Sequence, residues 1–144
     1  MEMTIDFPGG SRVDAHFGAF TVATDQPPAA TSSRPLHGSQ GQVCSYGSAP
    51  SPFEIFLSSI GTCAGIYVLG FCRQRGLPTD GIRIVERIHT SPADGMVEKI
   101  DLEIQVPASF PEKYHSSLIR SAELCAVKKH LEKPPRFGIT TKIS

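Results

Sequence analysis

Apolar and polar residues alternate in four stretches of the chain, and alternation with period two is typical of strands with one buried face. The first two stretches, residues 3–7 and 12–24, lie on either side of a Pro-Gly-Gly turn. The other two, residues 82–90 and 97–107, are joined by a short turn that contains proline, aspartate and glycine. We therefore predict two pairs of strands, one at each of these places.

A different pattern begins at residue 51. Ser51 and Glu54 have the spacing of a capping box, and residues 55–72 follow as 18 positions without a charge. This combination predicts a long helix that is buried nearly all round. Eighteen residues is close to the shortest span that crosses a membrane, but serine, threonine and glycine dilute the apolar run. We therefore predict a core helix, with Gly61 and Gly65 allowing another backbone to approach closely.

The rest of the chain shows weaker patterns. Residues 25–49 are rich in proline, serine, glycine and alanine, which predicts a long loop. Residues 110–122 and 125–131 are predicted as helices, and residues 137–143 as a last strand. No repeat or linker divides the chain. We expect a single α+β domain over residues 1–144.

Composition narrows the function classes. Fourteen Lys plus Arg balance 14 Asp plus Glu, so no net field favours binding to nucleic acid or to a membrane surface. The first residues are acidic, and no apolar segment of a secretory signal follows them. We therefore expect a cytoplasmic protein whose thiols stay reduced.

Cysteine is the candidate chemistry, at four positions: Cys44, Cys63, Cys72 and Cys125. Their spacing matches no common zinc site, and we expect neither a metal nor another cofactor. On periodicity alone, Cys63 is a small apolar residue of a buried helix. Cys72 lies on the opposite face of that helix and is predicted to be core. Cys44 is predicted to be an adventitious thiol in the long loop.

Charged neighbours leave the state of Cys125 open. Lys128 and Lys129 follow it at helical spacing and either favour a thiolate or form a solvated helix face. His130 stands 140° away from Cys125 around a helix, so a cysteine–histidine couple is not expected there.

Three segments carry a family resemblance: residues 52–72 (PFEIFLSSIGTCAGIYVLGFC), 75–78 (RGLP) and 125–131 (CAVKKHL). In this order they resemble the osmotically induced protein C and organic hydroperoxide resistance superfamily. The resemblance implies the α+β OsmC-like fold, with antiparallel sheets around a long central helix that bears a cysteine, and an intertwined homodimer. It also implies a thiol-dependent peroxidase for organic hydroperoxides, without metal or haem.

The resemblance also assigns roles to two cysteines. Cys63 is similar to the cysteine that attacks the peroxide, and Cys125 to the one that resolves the product through a disulfide, which a dithiol reductant then reopens. The family's glutamate position holds Phe53 here, whereas Glu54 is nine residues before Cys63, half a helical turn away from its face. Arg12 does not align clearly with the family's arginine.

Two other functions therefore stay open. The first is a non-catalytic domain of the same fold that senses redox state or binds a small ligand. The second is a structural role for all four cysteines.

Overall fold

A computed structural model describes residues 1–26 and 47–143. By internal contacts the chain forms two units, one from Met1–Ser58 with Val85–Glu103 and one from Ser59–Ile84 with Ile104–Ser144. The long helix and the second pair of strands run from one unit into the other. Both cysteines of interest, Cys63 and Cys125, belong to the second unit.

The first unit contains a three-stranded antiparallel sheet. Its strands are β1 (Thr4–Gly9), β2 (Arg12–Phe17) and β3 (Phe20–Val22), in the order β1-β2-β3. Gly10 and Gly18 turn the chain between these strands with φ values of 62° and 56°, a region that only glycine occupies at little cost. The predicted first pair of strands is therefore confirmed, with a third short strand after Gly18.

Asp25 joins the chain on the two sides of residues 27–46. Its carboxylate accepts hydrogen bonds from the backbone N–H and the hydroxyl of Ser48, at 2.8 and 2.9 Å. These two bonds hold the pKa of Asp25 below its usual value. Most of the predicted loop at residues 25–49 lies outside the described residues.

Helix α1 (Pro52–Gln74) begins with the predicted capping box. The Ser51 N–H donates to Glu54 Oε2 at 2.6 Å, and the Glu54 N–H donates to Ser51 Oγ at 3.3 Å. By length and composition α1 is able to cross a membrane, and 33% of its most apolar 18 residues are buried within the chain. The core helix of a soluble protein meets the same criteria.

The second pair of strands forms a two-stranded sheet, β4 (Arg83–Thr90) and β5 (Val97–Gln105). Its turn closes with the Ser91 N–H donating to the Met96 carbonyl at 2.8 Å. Ion pairs between the strands, such as Arg87 with Glu103 at 2.5 Å, lie on the wet face. The sequence prediction for this pair is confirmed to within two residues at each end.

Three short helical segments follow: a 3₁₀ turn at Glu112–Tyr114, α2 (His115–Glu123) and α3 (Ala126–Glu132). The buried centre of the second unit lies between α1 and α2. It consists of Val68, Phe71, Cys72, Phe110 and Leu118. Partly buried apolar side chains, among them Ile84 and Ile104, pack around it. This mixture of helices and small antiparallel sheets confirms the α+β class.

The predicted last strand at residues 137–143 is wrong for the single chain. Residues 134–143 form no helix or strand and are exposed throughout, with Phe137 87% and Ile139 94% accessible. Alternation supplies a strand's faces, but a strand also needs a neighbouring strand to satisfy its backbone groups. The described part of the chain places none beside this segment.

Candidate functional site: a pair of cysteines

Helix α1 presents Cys63 at the edge of its buried stripe. Ile60, Ala64 and Val68 follow one another at helical spacing and are 5%, 0% and 4% exposed, as one face of a helix should be. Cys63 lies next to this stripe and is only half-buried. Its sulfur is therefore held by packed neighbours while part of the residue stays in contact with solvent.

Cys125 occupies the junction between α2 and α3. It is the residue that precedes α3, with φ −46° and ψ 122°, and it is 1% exposed. A hydrogen bond of 2.9 Å from the Ser121 hydroxyl to the Tyr67 carbonyl fastens α2 to α1. As a result Cys125 Sγ lies against α1, 3.9 Å from the carbonyl oxygen of Ile60.

The structure brings the Cys63 and Cys125 side chains close enough for each to affect the ionisation of the other. The pKa of Cys63 is lowered, first by the backbone N–H of Val127 and then by the Cys125 side chain and the N–H of Ala126, while burial opposes them. The first N–H groups of a helix have no partner within the helix, so they are available to a thiolate. The start of α3 is thus the electropositive element of this site.

The same contact has the opposite effect on the pKa of Cys125. Burial is the main cause that raises the pKa of Cys125. The N–H group of Lys128 opposes it, the nearby Cys63 side chain raises the pKa further, and the N–H group of Val127 lowers it slightly. Of two adjacent thiols only one ionises easily, because a second negative charge is repelled by the first. The two shifts therefore make Cys63 the more easily ionised thiol of the pair.

The lysines that follow Cys125 contribute through the backbone. Lys128 and Lys129 are exposed, and Lys128 Nζ lies 4.0 Å from Glu132 Oε1. Lys128 affects Cys125 by its N–H group. Of the two alternatives that the sequence left open, the structure favours a solvated helix face. The His130 ring bonds the Ala126 carbonyl at 2.7 Å, in agreement with the expectation of no cysteine–histidine couple.

The residues at or near the positions of the family's glutamate and arginine each have a different partner. Glu54 belongs to the capping box at the start of α1. Arg12 forms an ion pair with the buried carboxylate of Asp14. Phe53, at the family's glutamate position, stacks against Phe56 at 5.7 Å between ring centroids.

The two remaining cysteines are Cys72 and Cys44. Cys72 is completely buried, and burial raises its pKa, so its prediction as a core residue is confirmed. Cys44 lies outside the described residues. Within residues 1–26 and 47–143 no cluster of three or more His, Cys, Asp or Glu side chains is suited to hold a metal ion.

Sequence reasoning missed the N–H groups of Ala126 and Val127. Backbone donors carry no residue signature, and the lysines nearby drew attention to side-chain charge instead. The available signal was the predicted start of a helix at residue 125, which places unpaired N–H groups immediately after a cysteine.

The chain matches the model of the OsmC-like protein family over residues 45–140. The chain therefore belongs to the OsmC-like family, and the resemblance stated from its sequence is confirmed. No curated protein matches it significantly.

Solved structures agree at the level of the fold. A putative osmotic stress induced and detoxification response protein from Psychrobacter arcticus is similar with a TM-score of 0.64 and 17% identity, over 88% of this chain and 85% of that one. An OsmC-like protein from Mycoplasma pneumoniae is similar with a TM-score of 0.62 and 15% identity, over 92% of this chain and 87% of that one. An OsmC-like protein from Vibrio cholerae is similar with a TM-score of 0.56 and 9% identity, over 91% of this chain and 92% of that one. Identities this low show a shared fold.

Proposed function

We propose that this protein is a thiol-dependent peroxidase that reduces organic hydroperoxides with two cysteines. The observation that supports this proposal most strongly is the contact between Cys63 and Cys125, in which the pKa of Cys63 is lowered and that of Cys125 is raised. Membership of the OsmC-like family supports the same chemistry. A structural role accounts for the raised pKa of the buried Cys125, but it gives no reason for the lowered pKa of Cys63.

In the first step the Cys63 thiolate attacks the terminal oxygen of the hydroperoxide. The O–O bond breaks, Cys63 becomes a sulfenic acid, and the organic fragment leaves as an alkoxide. The Cys125 thiol, which lies beside Cys63, gives its proton to that alkoxide. The products are an alcohol, the sulfenic acid and a Cys125 thiolate.

In the second step the new Cys125 thiolate attacks the sulfenic sulfur of Cys63. A disulfide forms, and hydroxide leaves and takes up a proton as water. A dithiol reductant, which the cell must supply, then reduces the disulfide and restores both thiols. Two thiols and one hydroperoxide thus yield one disulfide, one alcohol and one water.

Lowering the pKa of Cys63 explains only part of a fast reaction. A thiol with a pKa of about 8.5 is roughly 3% ionised at pH 7. More thiolate forms as the pKa falls, but each thiolate is a weaker nucleophile, with a Brønsted coefficient of about 0.4–0.5. The net gain is a few-fold. The proton from Cys125, delivered where charge develops on the leaving oxygen, supplies the further help.

We further propose that the protein acts as a homodimer in the cytoplasm. Exposed apolar side chains along α1, including Phe53 and Ile66, support a second copy, because a monomer leaves them in water. The exposed segment at residues 134–143 supports it too, since its alternating pattern suits a strand that pairs with another chain. The cytoplasm is the expected location because it keeps thiols reduced.

The decisive experiment is mass spectrometry of the reduced protein after one equivalent of cumene hydroperoxide. We expect a mass loss of about 2 Da and a crosslinked Cys63–Cys125 peptide. Cys63→Ser should abolish hydroperoxide consumption, and Cys72→Ala is the matched control that should not. Unchanged consumption by Cys63→Ser contradicts the proposal.

A second candidate is a redox sensor that reacts once and is not an enzyme. It is favoured by the partners of Glu54 and Arg12, which are engaged elsewhere in the described chain. Hydroperoxide consumption with excess dithiothreitol or dihydrolipoamide separates the two functions. Many turnovers per protein identify the peroxidase. One equivalent consumed, with every dithiol tested, identifies the sensor.

A further inference from the structure

A hydroxyl group outside the cysteine pair joins the end of α2 to α1. The Ser121 hydroxyl donates to the Tyr67 carbonyl at 2.9 Å, and the two residues are 54 positions apart in the chain. Ser121 precedes Cys125 by four residues, about one helical turn. We propose, on the basis of the two-cysteine mechanism above, that Ser121 is a positioning residue whose hydroxyl holds Cys125 within reach of Cys63 for disulfide closure.

Two backbone carbonyls of α1 receive the end of α2. The Tyr67 carbonyl accepts the Ser121 hydroxyl, and the Ile60 carbonyl oxygen lies 3.9 Å from Cys125 Sγ. Residues seven positions apart lie on the same side of a helix, two turns or about 10 Å from each other. A helical carbonyl keeps a second lone pair after its own helical bond, so it can accept a side chain as well. The hydroxyl makes the stronger of the two contacts, because a thiol is a weak donor.

The short segment from Ser121 to Cys125 carries the position of the serine to the cysteine. The Leu124 N–H donates to the Ser121 carbonyl at 3.1 Å, and the Cys125 N–H donates to the Ala122 carbonyl at 3.2 Å. These local bonds close the last turn of α2, and the chain leaves helical geometry at Cys125 itself. A displacement of Ser121 away from α1 would therefore move Cys125 with it.

Apolar packing holds the beginning of α2 more firmly than its end. Leu118, one turn before Ser121, is 2% exposed and belongs to the core of the second unit. Of residues 119–132, all of which the structure describes, Cys125 is the only one buried within the single chain. Loss of the Ser121 hydroxyl should therefore loosen the end of α2 and leave the core in place.

Disulfide closure is the step that depends most directly on where Cys125 lies. Its sulfur must reach the sulfenic sulfur of Cys63 to form the S–S bond, and hydroxide leaves as that bond forms. If the end of α2 moves away, the sulfenic acid persists longer and other reagents can capture it. The loss of one hydrogen bond corresponds to a change of about fivefold in this balance, equivalent to about 1 kcal/mol.

Competition between closure and trapping tests the proposal. The reduced full chain receives one equivalent of cumene hydroperoxide together with dimedone, which captures sulfenic acids. Peptide mass spectrometry then gives the ratio of the Cys63–dimedone adduct to the Cys63–Cys125 disulfide, a ratio that does not depend on how fast the sulfenic acid forms. Ser121→Ala should raise it about fivefold, and Ser121→Thr, which keeps the hydroxyl, should restore it.

The same helix provides a matched control. Ser117→Ala removes a hydroxyl one turn before Ser121, which accepts a hydrogen bond from Arg120 at 3.2 Å, and it should leave the ratio unchanged. Alanine favours a helix, so neither replacement should unfold α2, and circular dichroism checks this. An unchanged ratio in Ser121→Ala overturns the positioning role, and so does an equal rise in Ser117→Ala.

Glutathione separates this proposal from the proposed peroxidase. Oxidised glutathione converts the two thiols into the Cys63–Cys125 disulfide by thiol–disulfide exchange and yields two reduced glutathiones, with no hydroperoxide present. Ser121→Ala should raise the proportion of the Cys63–glutathione mixed disulfide over the internal disulfide by about fivefold. If this shift occurs but hydroperoxide gives neither adduct nor disulfide, the positioning role stands and the peroxidase is contradicted. If the shift does not occur, the positioning role is overturned whether or not the protein consumes hydroperoxide.

Discussion

Cys63 and Cys72 are nine positions apart on the same helix, yet their surroundings give them opposite properties. Cys63 is half-buried, next to the first N–H groups of α3, and its pKa is lowered. Cys72 is completely buried among Val68, Phe71 and Leu118, and its pKa is raised by that burial. One thiol is prepared to ionise and the other is kept neutral.

The difference lies in what the rest of the chain brings to each face of α1. The face at Cys72 receives hydrocarbon, which disfavours any charge. The face at Cys63 receives the end of α2 and the beginning of α3, where N–H groups are free. Reactivity is therefore decided by a neighbouring helix terminus, and α1 alone would leave the two cysteines much more alike.

The largest expected difference is in alkylation. With iodoacetamide at pH 7 and α1 intact, Cys63 should react more than about a thousandfold faster than Cys72. Cys72 becomes accessible only when the core opens, which costs several kcal/mol. Peptide mass spectrometry at timed intervals measures both rates in one sample. Comparable rates would mean that the second unit does not hold a closed core.

A smaller effect is expected on the pH dependence of Cys63. Cys125→Ala removes a hydrogen-bond donor to the thiolate and should raise the pKa of Cys63 by about one unit, because hydrogen bonds to charged groups are worth about 1.5–3 kcal/mol and a thiol is a weak donor. Alkylation rates between pH 5 and pH 10 report that pKa.

The direction of the pH dependence follows from the thiolate, because the charged form of Cys63 is the one that reacts. In the unaltered protein the pKa of Cys63 lies below the usual thiol value, so the thiolate should persist at pH values where an ordinary thiol is protonated, and reactivity should fall as the pH drops through the lowered pKa. Cys125→Ser keeps a donor and is the control, with a smaller shift expected. A profile that is identical in all three proteins would show that Cys125 does not tune Cys63.

Replacing Cys72 or Cys63 by alanine should lower the free energy of unfolding by different, moderate amounts. Cys72→Ala leaves a small cavity in the core and should lower the free energy of unfolding by about 1 kcal/mol. Cys63→Ala should cost less because that site is partly solvated. Urea denaturation of both variants under reducing conditions measures the difference, and a reversed order would contradict the assignment of Cys72 to the core.

The smallest effect is expected for Glu54. Glu54→Gln preserves the capping box and should change stability by less than about 0.5 kcal/mol, because glutamine can accept the same Ser51 N–H. Ser51→Ala removes the cap and should cost about 1 kcal/mol. Neither variant should slow alkylation of Cys63. A large loss of Cys63 reactivity in Glu54→Gln would instead give Glu54 a role in the chemistry.

Local chemistry made parts of this fold predictable. The capping box fixed the start of α1 to the residue, since Ser51 and Glu54 satisfy each other's backbone groups within four positions. Glycine at the turn between β1 and β2 was equally informative. In contrast, residues 137–143 have a strand's alternation but need hydrogen bonds from elsewhere, which no local pattern specifies.

The candidate site was predictable only in part. The family resemblance singled out Cys63 and Cys125, but 62 positions separate them, and no spacing rule says that they meet. Their contact depends on α2, which the Ser121 hydroxyl fastens to the Tyr67 carbonyl. Long-range packing of this kind is the part of the site that residue patterns do not contain.

The distance along the chain between the two thiols has a mechanical consequence. A disulfide between Cys63 and Cys125 would close a loop of about 60 residues, and chain entropy assigns such a crosslink about 4 kcal/mol against unfolding. That is a substantial share of the 5–15 kcal/mol that holds a typical domain together. The oxidised protein, with its disulfide, would therefore unfold at a higher temperature than the reduced dithiol form. It would also resist proteases better until a reductant opens the disulfide.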